Sequence, residues 1–352
     1  MNARLDTERV SPYYFSQHTR LASGSLFGSC ASGGFFFELF PVPTQPAHVR
    51  PLLIGGQQDM GRPYTKPALT FDQQLAQLEG RGMRVGDRNL AISALGRISY
   101  YRLSAYWHPF KRPDKTFESG ATFEEALKLY EFDRRLRLTV LDAIERVEIL
   151  VRTRVTYTLG HGYGAFAHTK ASSFDSTFRH SDWYSELSKE VARAKETFLE
   201  HYGATYDGFP DVPIWMASEV MSLGTLSKMF KGMRHPDQSA VTSSWKVHRI
   251  VAQSWLHTLS YVRNVCAHHA RLWNRELAIK PVLPKHQPGW NTLHNGRVYF
   301  VLCILRRLVQ SDPDGTGWAQ KVVGLLTELN ALPRWQQAMG IPTNWNTQVF
   351  WK

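Results

Sequence analysis

The stretch FEEALKLYEFDRRLRLTVLDAIERVEILVRTRVTYTLG, from Phe123 to Gly160, decides the fold class. Leu136, Val140, Ile144, Val147 and Val151 recur in it at spacings of three and four, the period of a helix with one buried face. Arg134, Arg137, Glu145, Glu148 and Arg152 fall among them and include pairs one turn apart, the spacing at which opposite charges meet on a helix surface. Thr122 followed by Glu125 reads as a capping box, and Gly160 reads as the stop.

The same period extends in both directions. Upstream, TFDQQLAQLEGRG (Thr70–Gly82) opens on a Thr cap and closes on Gly, and DRNLAISALGRI follows. Downstream, a loop rich in Gly, Ser and His (Gly160–His180) leads to SDWYSELSKEVARAKETFLEHY, then IWMASEVMSLGTLSKMFKGM, then a helix spanning Val247–Asn274. Past a connection holding Pro281, Pro284 and Pro288 come RVYFVLCILRRLVQ and WAQKVVGLLTELN. Alternating strand patterns are scarce, so the expected fold is all-α, with a small non-helical region near Ser99–Phe117.

Residues 1–62 read differently: LASGSLFGSCASGG, then FFFELF, then the proline-rich PVPTQPAHVRP. They lack a basic n-region and a long apolar core, so they do not make a signal peptide, and we expect a poorly ordered leader. A narrower expectation puts the natural start at Met60, because compact patterning begins only at RPYTKPALTF. The remaining boundaries are an N-terminal helical and irregular part over 63–120, a helical core over 121–340 and a tail over 341–352.

The net charge is +12, and residues 1–60 carry four charges of each sign, so the excess belongs to residues 61–352 and favours an anionic partner. No apolar run reaches the ~18 residues that span a bilayer. Three cysteines, Cys30, Cys266 and Cys303, show no CxxC spacing, which argues against a disulfide framework or a cysteine zinc site and suits a reducing cytoplasm. Cys266 and Cys303 lie in helical apolar patterns and read as small hydrophobes.

Chemistry concentrates in RNVCAHHARLWNRE, Arg263–Glu276. On an ideal helix with Trp255 at the origin, Val251, Leu259, Val262 and Cys266 fall within about 40° of it and form a buried stripe. Asn264, His268 and Arg271 fall roughly opposite, beside Gln253, His257 and Ser260. His269 falls on the core side, which makes His268 the working histidine of the two. Arg263 sits about 140° from His268, so one helix cannot aim both at one point, and that geometry points to a groove or a dimer interface.

Histidine exchanges protons near neutral pH, guanidinium holds phosphate, and asparagine orients either one. Together these suffice to cleave RNA through its own 2′-hydroxyl, with no metal required. The sequence offers no HExxH metal site, no Walker A, no GxGxxG and no GxSxG. On these residues alone a solvated basic helix and a working site both stay open.

Arg263-Asn264-Val265-Cys266-Ala267-His268 resembles the RNase motif of HEPN domains, and the longer RNVCAHHARLWNRE resembles the Abi-like abortive-infection family. PYTKPALTFDQQLAQLEGRGM, YYRLSAYWHPF and FDRRLRLTVLDAIERVEILVRT agree, so the resemblance covers about residues 63–335. It implies an all-α HEPN-type helical bundle with additional helices, paired as a homodimer through the motif helix. It also implies a composite, metal-independent endoribonuclease without cofactors, acting in phage defence or as a toxin. RNA is then the substrate, and a structured noncoding RNA is a further expected partner.

The implied roles are His268 as general base and acid, Arg263 as phosphate clamp and Asn264 as orienting group. His269, Arg271, Asn274 and His257 are expected to support the site or bind RNA. Trp273 reads as core rather than as a base-stacking residue, and packing is favoured for Tyr100, Tyr101, Tyr106 and Trp107. Glu145, Glu148 and Arg152 could buttress the site, with intrahelical pairing the simpler account. A non-catalytic helical module that binds RNA or a protein partner stays open as the alternative.

Overall fold

The chain, as a computed structural model, is described over residues 64–285, 287–310 and 312–351. The leader expected over residues 1–62, including its Met60 start, lies outside the described residues. Among them α1 (Phe71–Glu79), α2 (Arg88–Ile98) and α3 (Tyr100–Trp107) come first. Thr70 and Gln73 close a reciprocal capping box at α1, and Asp87 caps α2 by accepting the Leu90 N–H at 2.9 Å. The expected non-helical region is therefore shorter than Ser99–Phe117. Ser99 accepts the Arg102 N–H at 3.4 Å and restarts the helix at once, so Tyr100–Trp107 is helical.

The quoted stretch forms α4 (Phe123–Tyr163), about 60 Å long at 1.5 Å per residue. The Thr122 hydroxyl accepts the Glu125 N–H at 3.0 Å, as a cap should. Gly160 does not stop the helix. A Cβ there would meet Ile214 at 3.8 Å, an ordinary packing distance, and the end comes at Gly164 with φ 91°.

Beyond it lie α5 (His180–Arg193), α6 (Thr197–Thr205), α7 (Ile214–Val220), α8 (Leu223–Gly232) and α9 (His235–Thr242). The chain finishes with α10 (Arg249–Ala267), α11 (Val298–Leu308), α12 (Gly315–Glu328) and α13 (Pro333–Met339). Two stretches that read as single helices are each broken. The α7–α8 break occurs where Glu190 accepts the Ser222 N–H at 3.0 Å and the Ser222 hydroxyl caps Thr225. No sheet forms among the described residues, only isolated bridges such as Lys111 with Phe117.

Helix α4 is the spine: it packs against α2, α3 and every helix from α7 to α12. Leu136, Val140, Ile144, Val147 and Val151 are all buried, each contributing roughly 1.5–3 kcal/mol. Near the C-terminus, Ile341, Trp345 and Phe350 are buried, and Trp351 Nε1 donates to Tyr299 Oη at 3.0 Å. No helix among the described residues is long and apolar enough to cross a membrane.

Candidate active site

Helix α10 carries the motif, and its buried side matches the expected stripe: Val251, Trp255, Leu259, Val262 and Cys266 are all in the core. Burial pushes the Cys266 thiol up to about 12, as befits a packing residue rather than a nucleophile.

The helix ends earlier than Asn274. Ala270 N–H donates to Val265 O at 2.9 Å, and His269 N–H donates to Cys266 O at 3.0 Å, the two bonds of a Schellman cap. His269 occupies its left-handed position, at φ 56°. The ideal wheel therefore fails past Ala267, and His269 is exposed rather than core-facing. Glycine usually fills this position, because a Cβ there costs about 1–2 kcal/mol, so no ordinary stop signal marks the turn in the sequence.

What holds the turn comes from elsewhere in the chain. Asp133 of α4, fully buried, accepts the Trp273 N–H at 2.7 Å and the Leu272 N–H at 3.2 Å. The same carboxylate accepts the Tyr106 hydroxyl at 2.7 Å and pairs with Arg137 one turn on. Burial pushes the Asp133 carboxyl up, and the Arg137 charge, Tyr106 and the two amides pull against that. From α3, Arg102 Nη1 donates to the His269 carbonyl at 2.7 Å, and the Arg271 guanidinium donates back to the Ala105 carbonyl.

The turn presents Arg263, Asn264, His268 and His269 as exposed side chains. Arg263 Nη1 lies 3.4 Å from Asn264 Oδ1, and the Asn264 carbonyl accepts the His268 N–H at 3.0 Å. No hydrogen bond joins the Arg263 or Asn264 side chain to the His268 imidazole among the described residues. None of Arg102, Arg263, His268 and His269 makes an ion pair among the described residues.

The supporting residues separate. Arg271 is half-buried against α3, with burial and then Arg275 lowering its pKa. Asn274 is half-buried, its Oδ1 enclosed without a partner among the described residues. His257 lies eleven residues before His268, about 16 Å along the axis. Its pKa is lowered by burial and then by Lys231 and Lys228. Trp273 is core, as expected, and packs near Trp335. Glu148 pairs with Arg152 within α4, and Arg152 is further tied to the Met221 carbonyl at 2.6 Å.

Asp133 and Arg102 are the residues that sequence reasoning missed. Asp133 had a signal: it lies on the apolar stripe of α4 between Leu129 and Leu136, where an unpaired charge could not stay. Arg102 had none, since its partner is a backbone carbonyl 167 residues away.

A family model described as Abi-like protein matches residues 93–274, just over half of the chain. The chain belongs to the Abi-like family. No curated protein and no solved structure matches it. The matched Abi-like segment runs from within α2 to Asn274, so it contains the motif turn together with Arg102, Tyr106, Asp133 and Arg137, which hold it.

Proposed function

We propose that this Abi-like protein is a metal-independent HEPN-type endoribonuclease whose RNA cleavage arrests growth, as in abortive infection. One observation carries the reading. A turn anchored by hydrogen bonds displays Arg263, Asn264 and His268 to solvent, with no carboxylate paired to them among the described residues. A solvated basic helix face has no need of a buried carboxylate and two long-range arginine contacts to fix its end.

The chemistry follows from the side chains. The His268 imidazole takes the proton of a ribose 2′-hydroxyl as the oxygen attacks the adjacent phosphorus. The 5′-oxygen leaves with a proton returned by a second imidazole, giving a 2′,3′-cyclic phosphate and a 5′-hydroxyl. Arg263 neutralises the phosphorane charge, and Asn264 orients phosphate or imidazole. Because no side-chain contact joins Arg263 to His268 within one chain among the described residues, two copies of the chain pair through α10, each supplying half of a composite site.

Cleavage of total RNA is measured for wild type, Arg263→Ala and His268→Ala, with EDTA present throughout. Wild type cuts and both variants lose at least a hundredfold in rate. A wild type that cuts nothing, or a His268→Ala variant that cuts as well as wild type, refutes the nuclease. The binding-module alternative then stands, provided the wild-type chain still retains RNA.

A further inference from the structure

We propose that Tyr101 and Arg102, at the start of α3, form a nucleotide-binding subsite for single-stranded RNA beside the motif turn. The proposal rests on the ribonuclease reading and adds to it a substrate contact outside the motif.

The aromatic segment YYRLSAYW divides in the structure. Tyr106 and Trp107 are buried, and Tyr100 packs edge-on against Trp107 while its hydroxyl reaches Gln77. Tyr101 is different: it is 88% exposed, and among the described residues its ring has no aromatic neighbour and its hydroxyl no hydrogen bond. An exposed ring one residue before the arginine that reaches the turn is a surface on which a base can stack, and a nucleobase offers a flat face of matching size.

The next residue supplies the second half. Arg102 is exposed, and among the described residues only one of its N–H groups is spent, on the His269 carbonyl at 2.7 Å. A guanidinium carries five donors, so this one is anchored with a fork still free for phosphate. The turn it reaches carries the exposed His268 and His269, with the exposed Arg263 on the helix before it, and none of these makes an ion pair among the described residues. Charge complementarity therefore selects a polyanion, and Tyr101 selects one with unpaired bases.

Backbone geometry shows how the two ends of this contact are fixed. Four described residues other than glycine adopt positive φ, and two of them flank this contact: Ser99 at 76°, which caps α3, and His269 at 56°, which accepts from Arg102. Strained conformations of this kind survive where surrounding structure enforces them, and they gather at binding sites.

The test uses the full chain carrying His268→Ala, so that RNA survives, and follows anisotropy of a fluorescent mixed-sequence single-stranded RNA. Adding Tyr101→Ala weakens binding about 5- to 100-fold, the range expected for one stacked base, whereas Tyr101→Phe does not. Arg102→Gln lowers the slope of log affinity against log salt by about one. Tyr206→Ala, at an exposed tyrosine remote in sequence, leaves binding within twofold. Unchanged binding in Tyr101→Ala overturns the subsite alone. A parent chain that binds no RNA overturns the ribonuclease reading along with it. A Tyr101→Ala chain that loses self-association at full RNA affinity also overturns the subsite, assigning this surface to a second copy.

Discussion

The Asp133 carboxylate lies 2.7 Å from the backbone N–H of Trp273, joining the spine helix to the segment that follows the motif across 140 residues of chain. The same oxygens hold Tyr106 and Arg137, so α3, α4 and the motif turn meet at one buried anion. Asp133→Asn leaves Arg137 buried without its counter-charge, a change that typically costs 3–5 kcal/mol. Denaturant unfolding should show a loss of about that size. A loss below about 0.5 kcal/mol would mean that the carboxylate does not organise this junction.

His269 supplies a test of opposite sign. In the left-handed position of the cap, glycine is free of the Cβ penalty that histidine carries. His269→Gly should raise stability by up to about 1 kcal/mol, and His269→Val should lower it by more than that. Thermal melts of the two variants beside wild type decide the matter, and an equal loss in both contradicts the assigned cap.

Arg271 and Arg263 should part company in their response to salt. Arg271 is tied to the Ala105 carbonyl, so Arg271→Ala costs about 1–2 kcal/mol of stability and leaves the salt dependence of RNA affinity as it was. Arg263 is exposed, so Arg263→Ala lowers the magnitude of that dependence by about one while stability stays within about 0.5 kcal/mol. RNA titrations from low to physiological salt, with melts of both variants, separate the two roles. The same slope change in both would make Arg271 a phosphate contact as well.

A pH dependence arises far from the motif. His168 is 2% exposed, its Nδ1 has no partner among the described residues, and burial lowers its pKa to about 4. The unfolded chain therefore takes up a proton near 6.5 that the folded chain takes up only near 4. The contribution is whole above pH 6.5 and is lost as pH falls towards 4, by roughly 3 kcal/mol across the window. Unfolding free energies between pH 7 and 4.5 should fall more steeply for wild type than for His168→Gln, and parallel curves would count against the assignment.

Much of the architecture was legible because helices advertise their buried faces. The stripes Leu136–Val151 and Val251–Cys266 lie where their spacing put them, since removing apolar side chains from water is the main driving force and leaves a period in the sequence. Helix ends were less legible. Gly160 read as a stop yet is helical, and the true end of α10 carries His269, a residue type with no reputation for ending helices.

The sequence alone therefore determined the all-α class, the core of α10 and the identity of the polar residues gathered at its end. Local chemistry and period suffice for these, because each depends on residues within a few turns. Tertiary structure decided where that helix stops, which histidine is buried (neither His268 nor His269), and that Arg271 faces α3 while Tyr101 faces water. Those outcomes depend on partners such as Asp133, Arg102 and Ala105, more than a hundred residues away. No local pattern encodes a hydrogen bond to a distant backbone amide, because the donor is the same in every residue but proline.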